Sequence, residues 1–145
     1  MEQSVVQYIK KELNLPGLDP KSYSPLGLAY IGDAVYEMVV RTIVLSEGNM
    51  SVKKYHKKSS SMVKAAAQAE VFEKIEPLLT ETEMAVYKRG RNAKSATVAK
   101  HAAVIDYRKA TGVEALIGYL YLNGEMERAV RLIGTGLGAG EDNET

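Results

Sequence analysis

The sequence predicts an all-α domain, and three observations carry that expectation. Apolar residues recur at three- and four-residue spacing along most of the 145 residues. No stretch alternates convincingly at period two, the pattern of a half-buried strand. Between the periodic segments stand helix signals, Ser or Thr as caps and Gly or Pro as breaks. A chain of this length fits one domain and can hide roughly two-thirds of its unfolded surface.

Each element follows from these signals in order. Val5, Val6, Ile9 and Leu13 share one face and predict a helix over Val5–Leu13, broken by Pro16, Gly17 and Pro20. Ser24 followed by Pro25 is a cap with proline at the first helical position. The helix it opens runs to about Leu45, stops near Gly48 and Asn49, and is apolar on nearly every side. Such a helix belongs in the middle of a fold or at a subunit interface. Ser51 caps a helix from Val52 to about Lys58, and a separate one spans about Ser60 to Ile75. Thr80 and Glu83 form a capping box for a short helix over Glu81–Lys88, and Arg89-Gly90-Arg91-Asn92 reads as a basic turn. Residues 94–104 are weakly helical, Ile105–Leu122 is one strong helix ending at Asn123-Gly124, and Glu125–Ile133 is the last. We therefore expect a single domain over residues 1–133 and a flexible Gly-rich, acidic tail over 134–145.

Composition narrows the function. Hydrophobic residues make up 46% and charged residues 26%, a globular balance rather than a disordered one. No Cys is present, which excludes disulfides, thiol nucleophiles and Cys-based zinc sites. No apolar run is long enough to cross a bilayer and no signal-peptide pattern opens the chain, so a cytoplasmic protein without a membrane partner is expected. The net charge of +1 hides an uneven distribution. Lys53–Lys64 holds five Lys and His56 with no acid, and Tyr87–Lys109 sets seven basic residues against Asp106 alone. Two such segments are either solvated faces or a patch for a polyanion.

The most informative residues are two carboxylates in apolar helices. Asp33 lies in LGLAYIGDAVYEMVVR and Glu114 in TGVEALIGYLYL, each near a glycine, Gly32 and Gly118. An unpaired ionised carboxylate in an apolar setting is unfavourable without a cation or hydrogen-bond donors. Gly32 costs helix stability of about 0.5–1 kcal/mol relative to Ala, which makes sense if a backbone or ligand must come close. Two readings stay open at this point. Each acid pairs with a buried Arg or caps another helix, or the two converge on a hard divalent cation such as Mg2+ suited to phosphodiester hydrolysis.

The order of motifs adds a resemblance. LGLAYIGDAVYE resembles the ribonuclease III signature helix, and GVEALIGYLYLNG resembles the second acidic motif of that family. MVKAAAQAEVF is similar to the helix packed beneath the family's site, and KRGRNAKSATVAKHA with YRKATGVEALIGYLYL resembles the Mini-III branch. The resemblance covers about Tyr23 to Ile133. It implies a helical endonuclease domain that dimerises through the signature helix, without a separate double-stranded-RNA-binding domain. It implies Asp33 and Glu114 as the catalytic, metal-binding carboxylates, with Mg2+ as the ion and Mn2+ as a substitute. Its implied substrate is double-stranded RNA, the 23S ribosomal RNA precursor in this branch, with a ribosomal protein as a further candidate partner.

Departures from the longer family members are visible. They carry Glu seven and four residues before the signature Asp, where this chain has Leu26 and Ala29, and Asp three before the second Glu, where it has Thr111. The candidates to complete the site are Thr111, whose hydroxyl is one turn from Glu114, together with Asp106 and Glu37, for which a surface or salt-bridge role competes. The RNA must be held by the domain itself, through shape, phosphates and 2′-hydroxyls. Lys88, Arg89, Arg91, Asn92 and Lys94 are the first candidates, with Gly90 admitting close backbone approach. Lys53, Lys54, His56, Lys57 and Lys58 form a second, weaker group. Competing readings are a catalytically silent RNA-binding or ribosome-associated module on the same fold, and a helical interaction dimer, which would leave the basic segments unexplained. The run Gly134–Gly140 follows no strand and is read as tail rather than a phosphate loop. His56 and His101 have no Asp at the spacing a His-Asp hydrolase needs.

Overall fold

The computed structural model describes residues 4–93 and 103–140. Among them the helices are α1 (Val5–Leu13), α2 (Pro25–Leu45), α3 (Val52–Val63), α4 (Ala65–Ile75), α5 (Glu81–Asn92), α6 (Ala103–Leu122) and α7 (Met126–Leu137). Single 3-10 turns precede α2 at Pro20–Ser22 and follow α4 at Glu76–Leu78. No strand occurs among the described residues, as the missing period-two alternation predicts.

The predicted caps form. The Ser24 hydroxyl accepts from the Gly27 amide at 3.0 Å, and Ser51 accepts from Lys54 at 3.2 Å. Thr80 and Glu83 close their capping box reciprocally, at 3.1 and 2.9 Å. A second box, Ser4 with Gln7, opens α1. Each satisfies amides that the first helical turn leaves without partners.

The molecule is organised around α6. From Ala110 to Tyr121 every residue of it is buried except Glu114, which is half-buried, and α2, α5 and α4 pack along its sides. Between α4 and α5, Phe72 and Tyr87 stack with ring centroids 3.8 Å apart. A buried ion pair ties α5 to α7: Arg128 donates from Nε and Nη2 to the two Glu83 carboxylate oxygens, both at 2.9 Å, and from Nη2 to the Leu78 carbonyl. This two-pronged geometry holds the Glu83 carboxyl below its usual range. The apolar α2 lies beside α6 rather than at the centre. One side of it, with Leu26, Tyr30, Met38 and Leu45, is uncovered within the chain, and Tyr30 is 82% exposed.

Three boundaries differ from expectation. The break between α3 and α4 falls at Lys64, with ψ 157°, rather than at Ser59. The Val63 carbonyl is taken there by the Gln68 side-chain amide at 2.9 Å. The segment Arg89-Gly90-Arg91-Asn92 is the last turn of α5 and not a free turn. Gly90 is buried, and a Cβ on it would lie 2.6 Å from Ala115 Cβ and 3.0 Å from Gly112 Cα. Its lack of a side chain serves helix–helix contact, so it does not present backbone to a duplex. Finally, α7 continues through Gly134 to Leu137, so the expected tail loses its first four positions to a helix. Gly136 is held against α4, where a Cβ would meet Val71 Cγ1 at 2.3 Å, and packing overrides the low helix propensity of glycine. The helix ends at Gly138, left-handed at φ 72°. Among the described residues no helix is long and apolar enough to cross a membrane.

Candidate active site

The site is built by the crossing of α2 and α6. A Cβ on Gly32 would lie 1.7 Å from the Glu114 carbonyl oxygen, and one on Gly118 would lie 1.9 Å from the Leu28 carbonyl oxygen. Any larger residue at either place would overlap backbone, so the two glycines let the helices touch directly. Asp33 follows Gly32 at once, and Glu114 is the residue that Gly32 meets. The two acids are near enough that the negative charge of Asp33 acts on the Glu114 carboxyl. Neither acid has an Arg or Lys partner among the described residues.

The environments of the two acids differ. Asp33 is exposed, contrary to the interior position its helix suggested, because α2 leaves one flank uncovered within the chain. Glu114 stays half-buried, and its carboxyl is held well above the usual range, first by burial and then by the negative charge of Asp33. A hydrogen bond from the Gln68 amide at 3.2 Å acts in the opposite sense. Tyr36, one turn beyond Asp33, is fully buried and gives its hydroxyl proton to the Met62 carbonyl at 3.3 Å. Burial and the nearby Glu114 charge keep that phenol protonated.

The other expected members stand elsewhere. Thr111 is buried and donates to the Tyr107 carbonyl at 3.0 Å, so its proton is engaged within α6. Glu37 pairs with Arg41 one turn on, at 3.0 Å, which realises its salt-bridge reading. Asp106 lies in the first turn of α6. Among the described residues no third His, Asp or Glu joins Asp33 and Glu114. The residue the sequence did not flag is Gln68 of α4. Its amide joins the break after α3 to the Glu114 carboxylate, and its Oε1 is buried with no hydrogen-bond partner among the described residues. Nothing in a sequence marks one glutamine in an Ala-rich helix as different from a surface one.

These donors suit a hard divalent cation. All are oxygens: two neighbouring carboxylates with no countercharge among the described residues, and the buried oxygen of the Gln68 amide that contacts Glu114. Asp33, Glu114 and Gln68 are the groups that would hold it.

The basic residues divide between surfaces. Lys88 and Arg89 are exposed on the last turns of α5. Arg91 is half-buried, with its guanidinium 5.9 Å from the Tyr87 ring centroid and its Nε donating to Asn92 Oδ1 at 3.1 Å. Lys94 and His101 lie outside the described residues. On α3, Lys53, Lys54, Lys57 and Lys58 line one groove of about 570 Å³, where Lys58 is paired to Glu47. His56 instead lines a separate cavity with Arg41 and Leu45 of α2, and so leaves the lysine face.

The two motifs thus meet in space as well as in order. Residues 26–125 match the Ribonuclease III domain family. The chain belongs to the ribonuclease III family. It is 53% identical over 76% of its length to a Mini-ribonuclease 3 of Clostridium tetani, covering 74% of that protein. It is 45% identical over 92% of its length to one from a Thermoanaerobacter species, covering 94%. The crystal structure of protein FN1578 from Fusobacterium nucleatum superposes with a TM-score of 0.72 at 33% identity, covering 80% of this chain and 93% of that one. Membership makes the chain an endoribonuclease, a hydrolase of phosphodiester bonds. The silent module is thereby set aside.

Proposed function

We propose that this ribonuclease III-family chain is a Mg2+-dependent endonuclease of double-stranded RNA, working as a homodimer on the 23S ribosomal RNA precursor. The observation that carries the reading is the meeting of Asp33 and Glu114 at the Gly32–Gly118 crossing, with no countercharge among the described residues. Asp33 and Glu114 would hold a divalent cation, which would supply Lewis acidity and positive charge against the phosphate. The chain's own groups supply the rest. Asp33 is exposed on α2, so a phosphate can reach it from solvent. Glu114 sits deeper, its ionised form favoured once positive charge is near. The rigid crossing fixes their spacing.

Duplex binding is assigned to Lys88, Arg89, Arg91, Asn92 and Lys94, and to the α3 face of Lys53, Lys54, Lys57 and Lys58. Exposed cations at two places suit a duplex recognised by its phosphates and shape. The uncovered apolar side of α2 supports pairing through that helix, because isolated soluble domains rarely leave so much apolar surface open. The 23S precursor, and a ribosomal protein as a further partner, follow from the likeness to the Mini-III branch. The test is cleavage of a long RNA duplex with Mg2+ by wild type and Asp33→Asn, with EDTA as control. Cutting by wild type alone, abolished by EDTA and by the substitution, is expected. Intact duplex binding without cutting in any sample would overturn the reading.

A further inference from the structure

Gln68 is a polar side chain of the site that neither motif contains. It is 3% exposed, and its α4 backbone lies on the flank of α6 that carries Glu114. Its two ends are chemically distinct and its orientation is fixed. The Nε2 atom donates to the Val63 carbonyl at 2.9 Å and to Glu114 Oε2 at 3.2 Å, two acceptors that only the nitrogen end can serve. The oxygen end is therefore Oε1, which is buried and has no partner among the described residues. A buried amide oxygen without a partner is a rarity that calls for a cause, and its own amide nitrogen places it beside the Glu114 carboxylate.

The site also has a deficit. Among the described residues no third acid or histidine joins the pair. Mg2+ keeps several waters when held by only one or two carboxylates, and those waters need acceptors. Groups behind a metal's direct ligands typically set affinity by about 10–100-fold.

We propose that Gln68 is a positioning residue of the cation site. Its Nε2 fixes the Glu114 carboxylate beside Asp33, and its Oε1 is the neutral oxygen that serves the cation and its hydration shell. This rests on the reading of Asp33 and Glu114 as the cation-binding pair. It accounts for three observations together: the hydrogen bond from a break between helices to an acid on a third helix, the orphaned oxygen, and the thin carboxylate shell.

The test measures Mn2+ binding to the cation-free protein by electron paramagnetic resonance or calorimetry, in wild type, Asp33→Asn, Gln68→Met and Gln68→Glu. Gln68→Met keeps an unbranched chain of similar volume and removes both polar ends. Gln68→Glu removes the donor but keeps oxygen. Melting in EDTA confirms that each variant is folded; both Gln68 variants lose the bond to Val63 there, so the melting point alone does not separate a packing role from this one. Cation affinity does. We expect Gln68→Met to bind Mn2+ about 10–100-fold more weakly, and Gln68→Glu to recover most of that loss. Wild-type affinity in Gln68→Met overturns the proposal, as does equal weakening in both variants, which would leave Oε1 no part. If wild type itself binds no Mn2+, the reading of Asp33 and Glu114 fails and takes Gln68 with it. If wild type binds, Asp33→Asn does not, and Gln68→Met matches wild type, only the Gln68 assignment falls.

Discussion

Replacing Gly32 with alanine puts a methyl carbon 1.7 Å from the Glu114 carbonyl oxygen, where about 3.3 Å is the closest comfortable carbon–oxygen approach. The obstacle is backbone, not the end of a flexible side chain, so α2 and α6 must part by roughly 1.6 Å at that point. Forced overpacking of this kind costs about 1–3 kcal/mol, and an unyielding neighbour puts Gly32→Ala at the upper end. Alanine recovers roughly 1 kcal/mol of helix propensity, leaving a net loss of about 2 kcal/mol. For a domain of this size that is a fall in melting temperature of about 7 °C. The effect on catalysis is larger, because Asp33 and Glu114 ride on the two helices being separated. A misplacement of about 1 Å can cost on the order of 100-fold in rate. The assay is duplex cleavage at a temperature where circular dichroism shows the variant folded, beside a melting curve. Gly17→Ala is the control, since nothing lies within 4 Å of a Cβ there. A Gly32→Ala protein that melts and cleaves as wild type would refute the argument that a backbone-to-backbone crossing sets the carboxylate spacing.

Two further predictions concern other parts of the molecule. Arg128→Met leaves Glu83, itself 5% exposed, without its countercharge, and should destabilise by about 3 kcal/mol, the low end for a broken buried pair because the Arg side chain is 27% exposed. Because Arg128 lowers the folded-state pKa of Glu83, the pair's contribution is present above the unfolded carboxylate pKa and is lost as pH falls through the lowered folded value. The gap in urea midpoint between wild type and Arg128→Met should therefore narrow in acid, and a constant gap would contradict this account. For the RNA face, Lys88→Ala with Arg89→Ala should weaken duplex binding in EDTA and flatten the plot of log affinity against log salt by about one unit or less per lost phosphate contact. An unchanged slope would remove α5 from the interface.

What the sequence determined by itself is local. Periodicity and caps act over a few residues, so Ser24, Ser51 and the Thr80–Glu83 box mark helix starts that the structure keeps. The two acidic motifs were legible for the same reason, since a charge within an apolar helix stands out against its neighbours, and so was the family to which they belong. Tertiary structure decided what depends on helices meeting. Gly90 and Gly136 look like turn and tail residues in sequence, yet each is helical because another helix presses on the place where a side chain would be. Asp33 reads as interior and is exposed, because α6 rather than α2 takes the centre and a helix apolar all round keeps one side bare. The resemblance sets the helix MVKAAAQAEVF beneath the site, but no local pattern singles out Gln68 within it. Its contact with Glu114 spans 46 residues and exists only where α4 packs on α6, beside the crossing that the absence of Cβ atoms at Gly32 and Gly118 allows.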